Sequence, residues 1–401
     1  MKVKLSDAFD LQMGKTPPRN DRECWGDGHK WISISDIGNA GKYIDATKEE
    51  ITDIGVSKSG IKVVPKGTVI MSFKLSIGKT AITAEDMYTN EAIMAFINKG
   101  KYEIDTNYLY HMCKGIDWFE GTNKAVLGLT LNKATMSEKE IEIPPLNVQL
   151  QAVAVLDKMD ELIDLRKEQL AKLDQLVKSR FIELFGDTPD GEKVAMADIC
   201  RIITDGTHQP PKFVSEGIPF LFVSNIVTNE IRYDAQKFIS EETYAELIKR
   251  TPIAIGDILL STVGSYGHPA VVKTEKPFCF QRHIAYLKPN ADIVDSEYLR
   301  GAILSADVQR QIDEGVKGIA QKTLNLSEIR KIRLPLPPIE SQKQFAAFVE
   351  QTDKSKLAVQ KALEELEILK NQLLSMPNVI KHIVNNASTF CTNQVLKTQY
   401  I

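Results

Sequence analysis

Two stretches of the chain place an apolar side chain at every seventh residue. Leu156, Ile163, Leu170 and Val177 form one series, widened by Met159, Leu162, Leu173 and Leu176, and Val359, Leu366 and Leu373 form the other, joined by Leu363 and Leu369. Such a repeat marks a helix that buries one narrow stripe against a second helix. The first predicted helix runs from Asn147, after a proline pair, to Phe185 and stops at Gly186. The second runs from Ser341, which has capping-box spacing to Gln344, to Met376 before Pro377. At 1.5 Å per residue each spans roughly 55 Å, too long a stripe to bury alone. The two match in length and stripe. They are therefore expected to pack on each other as an antiparallel coiled coil, because the chain passes through a whole domain between them.

The rest of the chain shows shorter periods. β-branched and aromatic runs bounded by Gly, Pro, Asn or Lys predict strands over Trp31–Ile37, Ile61–Phe73 and Ala92–Ile97, and again over Phe220–Val223, Asp257–Thr262 and Ile284–Leu287. Thr106–Cys113 and Ser296–Leu304 read as helices, each opening on a hydroxyl residue fit to cap it. Strands and helices do not alternate regularly, so the fold class is α+β, with two similar mixed α/β domains each followed by a long helix.

That doubling can be followed residue by residue. Thr130-Leu131-Asn132, Pro144-Pro145 and Gln149 answer Thr323-Leu324-Asn325, Pro337-Pro338 and Gln342, with identical Asn-to-Pro spacing. Ser35-Asp36-Ile37 answers Ser224-Asn225-Ile226, Gly67–Ser72 answers Gly256–Ser261, and Gly78 with Ala81 answers Gly267 with Ala270. The unit is about half the chain, far longer than a solenoid repeat. The organisation read from it is a first domain over 1–145, a helix over 146–186, a second domain over 187–338, a helix over 339–377 and a tail over 378–401 to which no role is assigned.

Composition narrows the classes. The 401 residues carry 50 Lys and Arg against 53 Asp and Glu, a net charge of −3, so no basic excess announces nucleic acid. The five cysteines, Cys24, Cys113, Cys200, Cys279 and Cys391, never fall in a Cys-x-x-Cys pair, which argues against a disulfide framework and a zinc site. No apolar run is long enough to span a membrane and the start does not read as a secretory signal, so a cytoplasmic location is expected. Catalytic motifs are missing as well. Gly78-Lys79-Thr80 resembles the end of a phosphate-binding loop, but the first glycine would fall at Phe73. The proline pairs lack the flanking Asn and aromatic residue of an amino-methyltransferase loop. His111 and Cys113 have no second ligand pair and read as structural.

Two divergent domains, each opening on a Gly-containing turn (Gly14-Lys15-Thr16-Pro17; Asp205-Gly206-Thr207-His208) and closing on Pro-Pro before a long helix, resemble the specificity subunit of type I restriction-modification systems. The Trp31–Ile37 stretch, the Gly67–Ser72 and Gly256–Ser261 strands and the Gly264-Ser265-Tyr266-Gly267 turn add to the likeness, which covers about Val3 to Met376. One departure is that the family's usual Glu-Gln after the prolines is here Val148-Gln149 and Ser341-Gln342. The resemblance implies a subunit without catalysis of its own. Two target recognition domains would read the unlike halves of a bipartite double-stranded DNA sequence, while the helices set the spacing and dock two modification (methyltransferase) subunits and the motor-nuclease restriction subunits. It implies no cofactor on this chain, with S-adenosylmethionine, ATP and magnesium on the partners. The competing reading is a coiled-coil interaction scaffold with no role in DNA recognition.

Base reading calls for side chains able to make paired hydrogen bonds in the major groove. In the first domain the candidates are Lys15, Arg19, Arg22, Lys30, Lys74, Lys79 and Asn90. In the second they are His208, Gln209, Lys212, Ser265, Tyr266, His268, Gln281 and Arg282. Ser35, Ser224 and Asn225, expected at strand ends, are candidate phosphate or base contacts, and Gly78 and Gly267 are expected to serve their turns.

Overall fold

A computed structural model describes residues 1–74, 76–119, 131–186, 193–318 and 322–375. Cys391, Pro377 and the tail over 378–401 lie outside them. The chain divides into two compact units, Met1–Lys167 with the described chain from Gln360, and Glu168–Val359.

In the first unit a five-stranded sheet has the order Phe9–Met13, Ile93–Asn98, Val69–Ser72, Thr80–Thr83, Tyr43–Ile44. Its central strands are buried on both faces because apolar clusters cover each side, one around Phe9, Met71 and Phe96, the other around Ile32, Ile70 and Ile93. A second sheet of three strands runs Glu49–Ile51, Trp25–Ile32, Tyr88–Thr89. Lys2–Lys4 pairs with Glu140–Glu142 and ties the start of the domain to its end.

The second unit repeats this plan. Four strands run Cys200–Asp205, Ile284–Pro289, Ile258–Ser261, Pro269–Val271, three run Phe238–Ile239, Ile218–Leu221, Cys279–Phe280, and Lys193–Ala195 pairs with Arg333–Pro335. The Tyr43–Ile44 strand has no counterpart among the described residues.

The long helices span Leu146–Phe185 and Ile339–Ser375. Gly186 closes the first in the left-handed region (φ 71°), its amide donating to Ile182 O at 2.7 Å. Ser341 lies inside the second helix, so the expected capping box does not form. The residue that does hold the junction is the next one. Gln342 is fully buried, accepts from the Asp295 amide (2.8 Å) and donates to Pro337 O (2.7 Å) and Ile293 O (3.2 Å). Gln149 does the same with Asp105, Pro144 and Glu103, each at 2.9 Å.

Leu156, Ile163, Val359, Leu366 and Leu373 are buried, and Leu170 and Val177 are partly buried. Leu176 departs from the expected stripe, at 49 % exposed. Within the first unit Ala152 and Met159 cluster with Leu373, Lys370 pairs with Asp160, and Lys167 with Glu367 at 3.3 Å. Within the second, Phe181 and Phe185 pack on Phe345 and Tyr298, and Lys356 pairs with Asp174 at 2.9 Å.

Three local expectations are corrected. The strand expected over Trp31–Ile37 ends at Ile32. Ser33 and Asp36 then form a capping box that starts a helix over Ile34–Asn39, because a hydroxyl and a carboxylate three residues apart satisfy the helix's first amides better than a continued strand would. The strand expected over Ile61–Phe73 is confined to Val69–Ser72. The short helices Thr106–Gly115 and Ser296–Ile303 are capped by Asp105 and Asp295 and not by their opening hydroxyl residues.

Candidate nucleic-acid interface

Both domains fold their candidate residues onto one backbone frame. Gly14 and Gly206 follow the first strand of each main sheet, and there the chain passes the Tyr88–Thr89 or Cys279–Phe280 strand of the three-stranded sheet so closely that a Cβ at Gly14 would lie 2.0 Å from Thr89 O, and one at Gly206 2.3 Å from Phe280 O. Only glycine fits there. Past this crossing the Lys15 amide donates to Thr89 O (2.9 Å) and the Thr207 amide to Phe280 O (3.2 Å). The second shared device is a tight turn. The Gly78 amide donates to Ser72 O and the Gly267 amide to Ser261 O, both at 2.9 Å, and each serine hydroxyl accepts from the next amide, Lys79 at 3.1 Å or His268 at 2.9 Å. Gly78 and Gly267 sit at φ 89° and 81°, so they serve the turn as expected.

On the first frame, Arg19 lies 3.9 Å above the Trp25 ring and 4.8 Å from Trp31, while Nη1 meets Glu49 Oε1 at 2.6 Å. The two indoles stand edge to face at 5.1 Å, so the guanidinium is held by stacking and charge together. Lys15 Nζ donates to Ser59 O and Gly60 O (3.1 Å each) at the end of the helix Asp53–Ser59. Lys30 donates to Asp45 O and to Glu85, whose hydrogen bond raises the Lys30 pKa above its ordinary value. Lys74 lies over Phe73, and Lys79 Nζ stands against Gly38. Arg22 and Ser35 are exposed, Ser35 in the first turn of a helix and not at a strand end. Asn90 is committed on one side, since Oδ1 accepts from the Ala92 amide at 3.0 Å.

On the second frame, Asp205 accepts from His208 (2.9 Å) and from Arg250 (2.6 Å). Thr207 bridges Gln281, and Arg282 Nε meets His283 Nε2 at 3.4 Å. Asp205, Thr262, Arg282, His283, Thr323 and Asn325 line an open cleft of about 410 Å³. At the Gly267 turn Ser265 Oγ and Asn229 Oδ1 flank His268, each at 3.2 Å. Asn229 Oδ1 only accepts, so His268 carries its proton on Nδ1 and takes the Ser265 hydroxyl proton at Nε2. Burial lowers the His268 pKa and keeps this neutral form. Gln209, Lys212 and Ser224 are exposed, and Gln281 is half-buried.

Two candidates have their polar groups committed within the fold. Asn225 is buried, with its amide spent inside a turn, since Oδ1 accepts from Phe222 N (2.9 Å) and Nδ2 donates to Arg232 O (3.1 Å). Breaking those bonds to reach a base would strand two backbone groups. Asp36 takes the same place in the first domain, accepting from Ser33 N at 2.7 Å, so the matched Ser-Asp/Asn-Ile triplets are turn-builders. Tyr266 is likewise tied down, its hydroxyl donating to Asp313 Oδ1 at 3.0 Å while its ring packs on the core. Arg250, His283 and Glu91 were not among the candidates the sequence offered. None stands in a motif, and only the fold brings them to these faces.

Residues 1–175 and 190–368 both match the family model of the type I restriction modification DNA specificity domain. The chain belongs to that family. It is 24 % identical over 397 residues to the type I restriction enzyme MjaIX specificity subunit of Methanocaldococcus jannaschii, covering 92 % of this chain and 90 % of that one. It is 23 % identical over 416 residues to the EcoBI specificity subunit of Escherichia coli, covering 94 % and 84 %. In fold the specificity chain is similar to one from a structure of complex assembly and conformational transition of the type I R-M system (TM-score 0.60, 17 % identity, 95 % and 97 % covered). It is also similar to the S subunit from M. genitalium (TM-score 0.50, 15 % identity, 94 % and 95 % covered). Both specificity domains hold the frames described above. Among the described residues no helix is long and apolar enough to cross a membrane, and no group of His, Cys, Asp and Glu is placed to hold a metal.

Proposed function

We propose that this chain is the non-catalytic, sequence-reading subunit of a type I restriction-modification complex in the cytoplasm, with each domain reading one half of an asymmetric, bipartite double-stranded DNA target. The observation that carries this reading is one backbone frame built twice with unlike side chains at its edge: Lys15, Lys79 and Asn90 on one copy, Thr207, His268 and Gln281 on the other. Identical domains would read a palindrome, whereas these read two different half-sites.

The two long helices act as the spacer, paired as an antiparallel coiled coil. The ion pairs Asp160–Lys370, Lys167–Glu367 and Asp174–Lys356 support that pairing, since rising numbers on one helix meet falling numbers on the other. Half-sites read on one face of B-DNA lie roughly 34 Å apart, a distance a stiff helical pair can set. The helices also dock two modification subunits and the motor-nuclease subunits, which carry S-adenosylmethionine, ATP and magnesium. A net charge of −3 fits this division, with most phosphate contacts made by the partners. A coiled-coil scaffold that ignores DNA leaves the divergent edges of a duplicated frame without a role.

Methylome sequencing with and without the gene tests the reading. Loss of a single bipartite methylated motif is expected, and an unchanged methylome sinks the assignment. In gel shifts the isolated chain should bind DNA weakly and the complex with modification subunits tightly. Tight, specific binding by the chain alone would contradict the division of contacts.

A further inference from the structure

The two frames differ in charge at one equivalent position. Asn90 and Gln281 correspond, because the Asn90 amide donates to Ile32 O (3.0 Å) and the Gln281 amide to Leu221 O (3.2 Å), and each carbonyl accepts from the amide three residues on, Ile93 or Ile284. The residue after each is therefore the same place in both domains. It is Glu91 in the first and Arg282 in the second, and both are exposed.

Glu91 sits beside cations, whereas Arg282 sits beside His283. Glu91 accepts from the Thr16 hydroxyl, with Lys74 and Arg19 close enough to act on its charge. Burial by itself would raise the Glu91 pKa, but that hydrogen bond and those cations outweigh it and leave the carboxyl below its ordinary value. Arg282 lines the cleft that also holds Asp205 and His283.

A carboxylate on a DNA-facing edge is repelled by every phosphate, and is favourable only opposite an amino group of a base. In the major groove that means cytosine N4 or adenine N6. Arginine at the same place matches the paired acceptors O6 and N7 of guanine. The neighbouring cations Lys74 and Arg19 are then left for phosphates, which position without specifying.

We propose that Glu91 and Arg282 are equivalent specificity-determining residues of opposite polarity, Glu91 accepting from the exocyclic amine of a cytosine or adenine in the first half-site and Arg282 donating to a guanine in the second. This rests on the reading of the chain as a DNA specificity subunit.

The test uses the whole restriction-modification system in cells, with the methylated motif read by sequencing. Glu91→Ala is expected to relax one position of one half-site, where the wild type demands C or A, by about 10- to 100-fold in preference, and to leave the other half-site intact. Arg282→Ala should relax one G in the other half-site. The wild-type base at the relaxed position distinguishes cytosine from adenine. If Glu91→Ala abolishes methylation altogether, Glu91→Gln decides, because it keeps the shape and the acceptor facing Thr16. A relaxed position supports the proposal, and wild-type discrimination overturns it. A uniform fall in methylation at all sites with unchanged preference overturns it too, since that is the mark of an anchor for Lys74 and Arg19. So does relaxation of an A·T pair on mutating Arg282. A wild-type system that methylates no bipartite motif is a different failure, and removes the functional reading itself.

Discussion

The two domains join their long helices through the same hydrogen bonds and through opposite packing. Gln149 and Gln342 are both fully buried and make three matching bonds. Counting from them, Ala152 and Phe345 hold the same place on the long helices. Counting from the caps Asp105 and Asp295, His111 and Gly301 hold the same place on the short ones. In the first domain the large side chain is on the short helix and the small one on the long helix, and in the second this is reversed. A Cβ at Gly301 would come within 2.6 Å of the Phe181 ring and 3.3 Å of Phe345. Directional bonds have to be kept atom for atom, whereas side-chain volume at matched places is free to differ.

The exchange changes chemistry as well as shape. Phe345 sits in an aromatic cluster with Phe181 and Phe185. His111, 1 % exposed, meets Asp157 Oδ1 at 2.6 Å, and Asp157 is also held by Lys42 at 2.7 Å. His111 Nδ1 has no partner among the described residues. A neutral ring donates from Nε2 to Asp157 and leaves only a lone pair bare, whereas a charged ring would bury an unmatched N–H. Burial accordingly lowers the His111 pKa.

The largest test of the comparison is Phe345→Ala, expected to cost the second unit about 3–5 kcal/mol. All three tryptophans, Trp25, Trp31 and Trp118, lie in the first unit, so tryptophan fluorescence in a guanidinium titration should keep its midpoint. Hydrogen exchange in Ile258–Ser261 should accelerate. A shift of the fluorescence midpoint would mean that the units unfold as one. Next, Gln149→Ala and Gln342→Ala should each cost about 2–4 kcal/mol by stranding a buried amide and two carbonyls. Clearly unequal costs, measured by exchange in the two domains, would break the claim of a common frame. Ala152→Phe should cost the first unit about 1–3 kcal/mol by overpacking. Adding His111→Gly should recover part of it, and strict additivity in the double-mutant cycle would deny the volume exchange.

The smallest effect is in pH. The unfolded chain protonates His111 at its ordinary 6.5 and the folded one only at lower pH, so its contribution is complete above 6.5 and is lost as pH falls through the folded value. Acidification from pH 7 to 5.5 should therefore narrow the gap in fluorescence midpoint between wild type and His111→Gln. A constant gap would place the proton elsewhere. Gly301 has nothing to titrate at the second junction, where His268 and His283 belong to the surface instead.

Much of the frame was legible in advance. The spacing from Asn132 to Pro144 and from Asn325 to Pro337, the heptads and the glycines of the turns are local signals, each acting within a few residues of itself. Burial is not a local signal, as Asn225 shows. An asparagine that reads bases and one that staples a turn look alike until burial is known. Glu91 went unnoticed because a lone acid has no pattern, and its meaning lies in Thr16, Lys74, Arg19 and the equivalent Arg282.

By itself, then, the sequence determined that there are two copies and which helices carry an apolar stripe, because backbone chemistry and periodicity are written along the chain. Only the tertiary structure decided which side chains share an edge, which polar groups are already committed, and that His111 meets Asp157 where the second domain packs Phe345 against Gly301. Those are matters of contact between residues far apart in the chain, and no local pattern encodes the space between them.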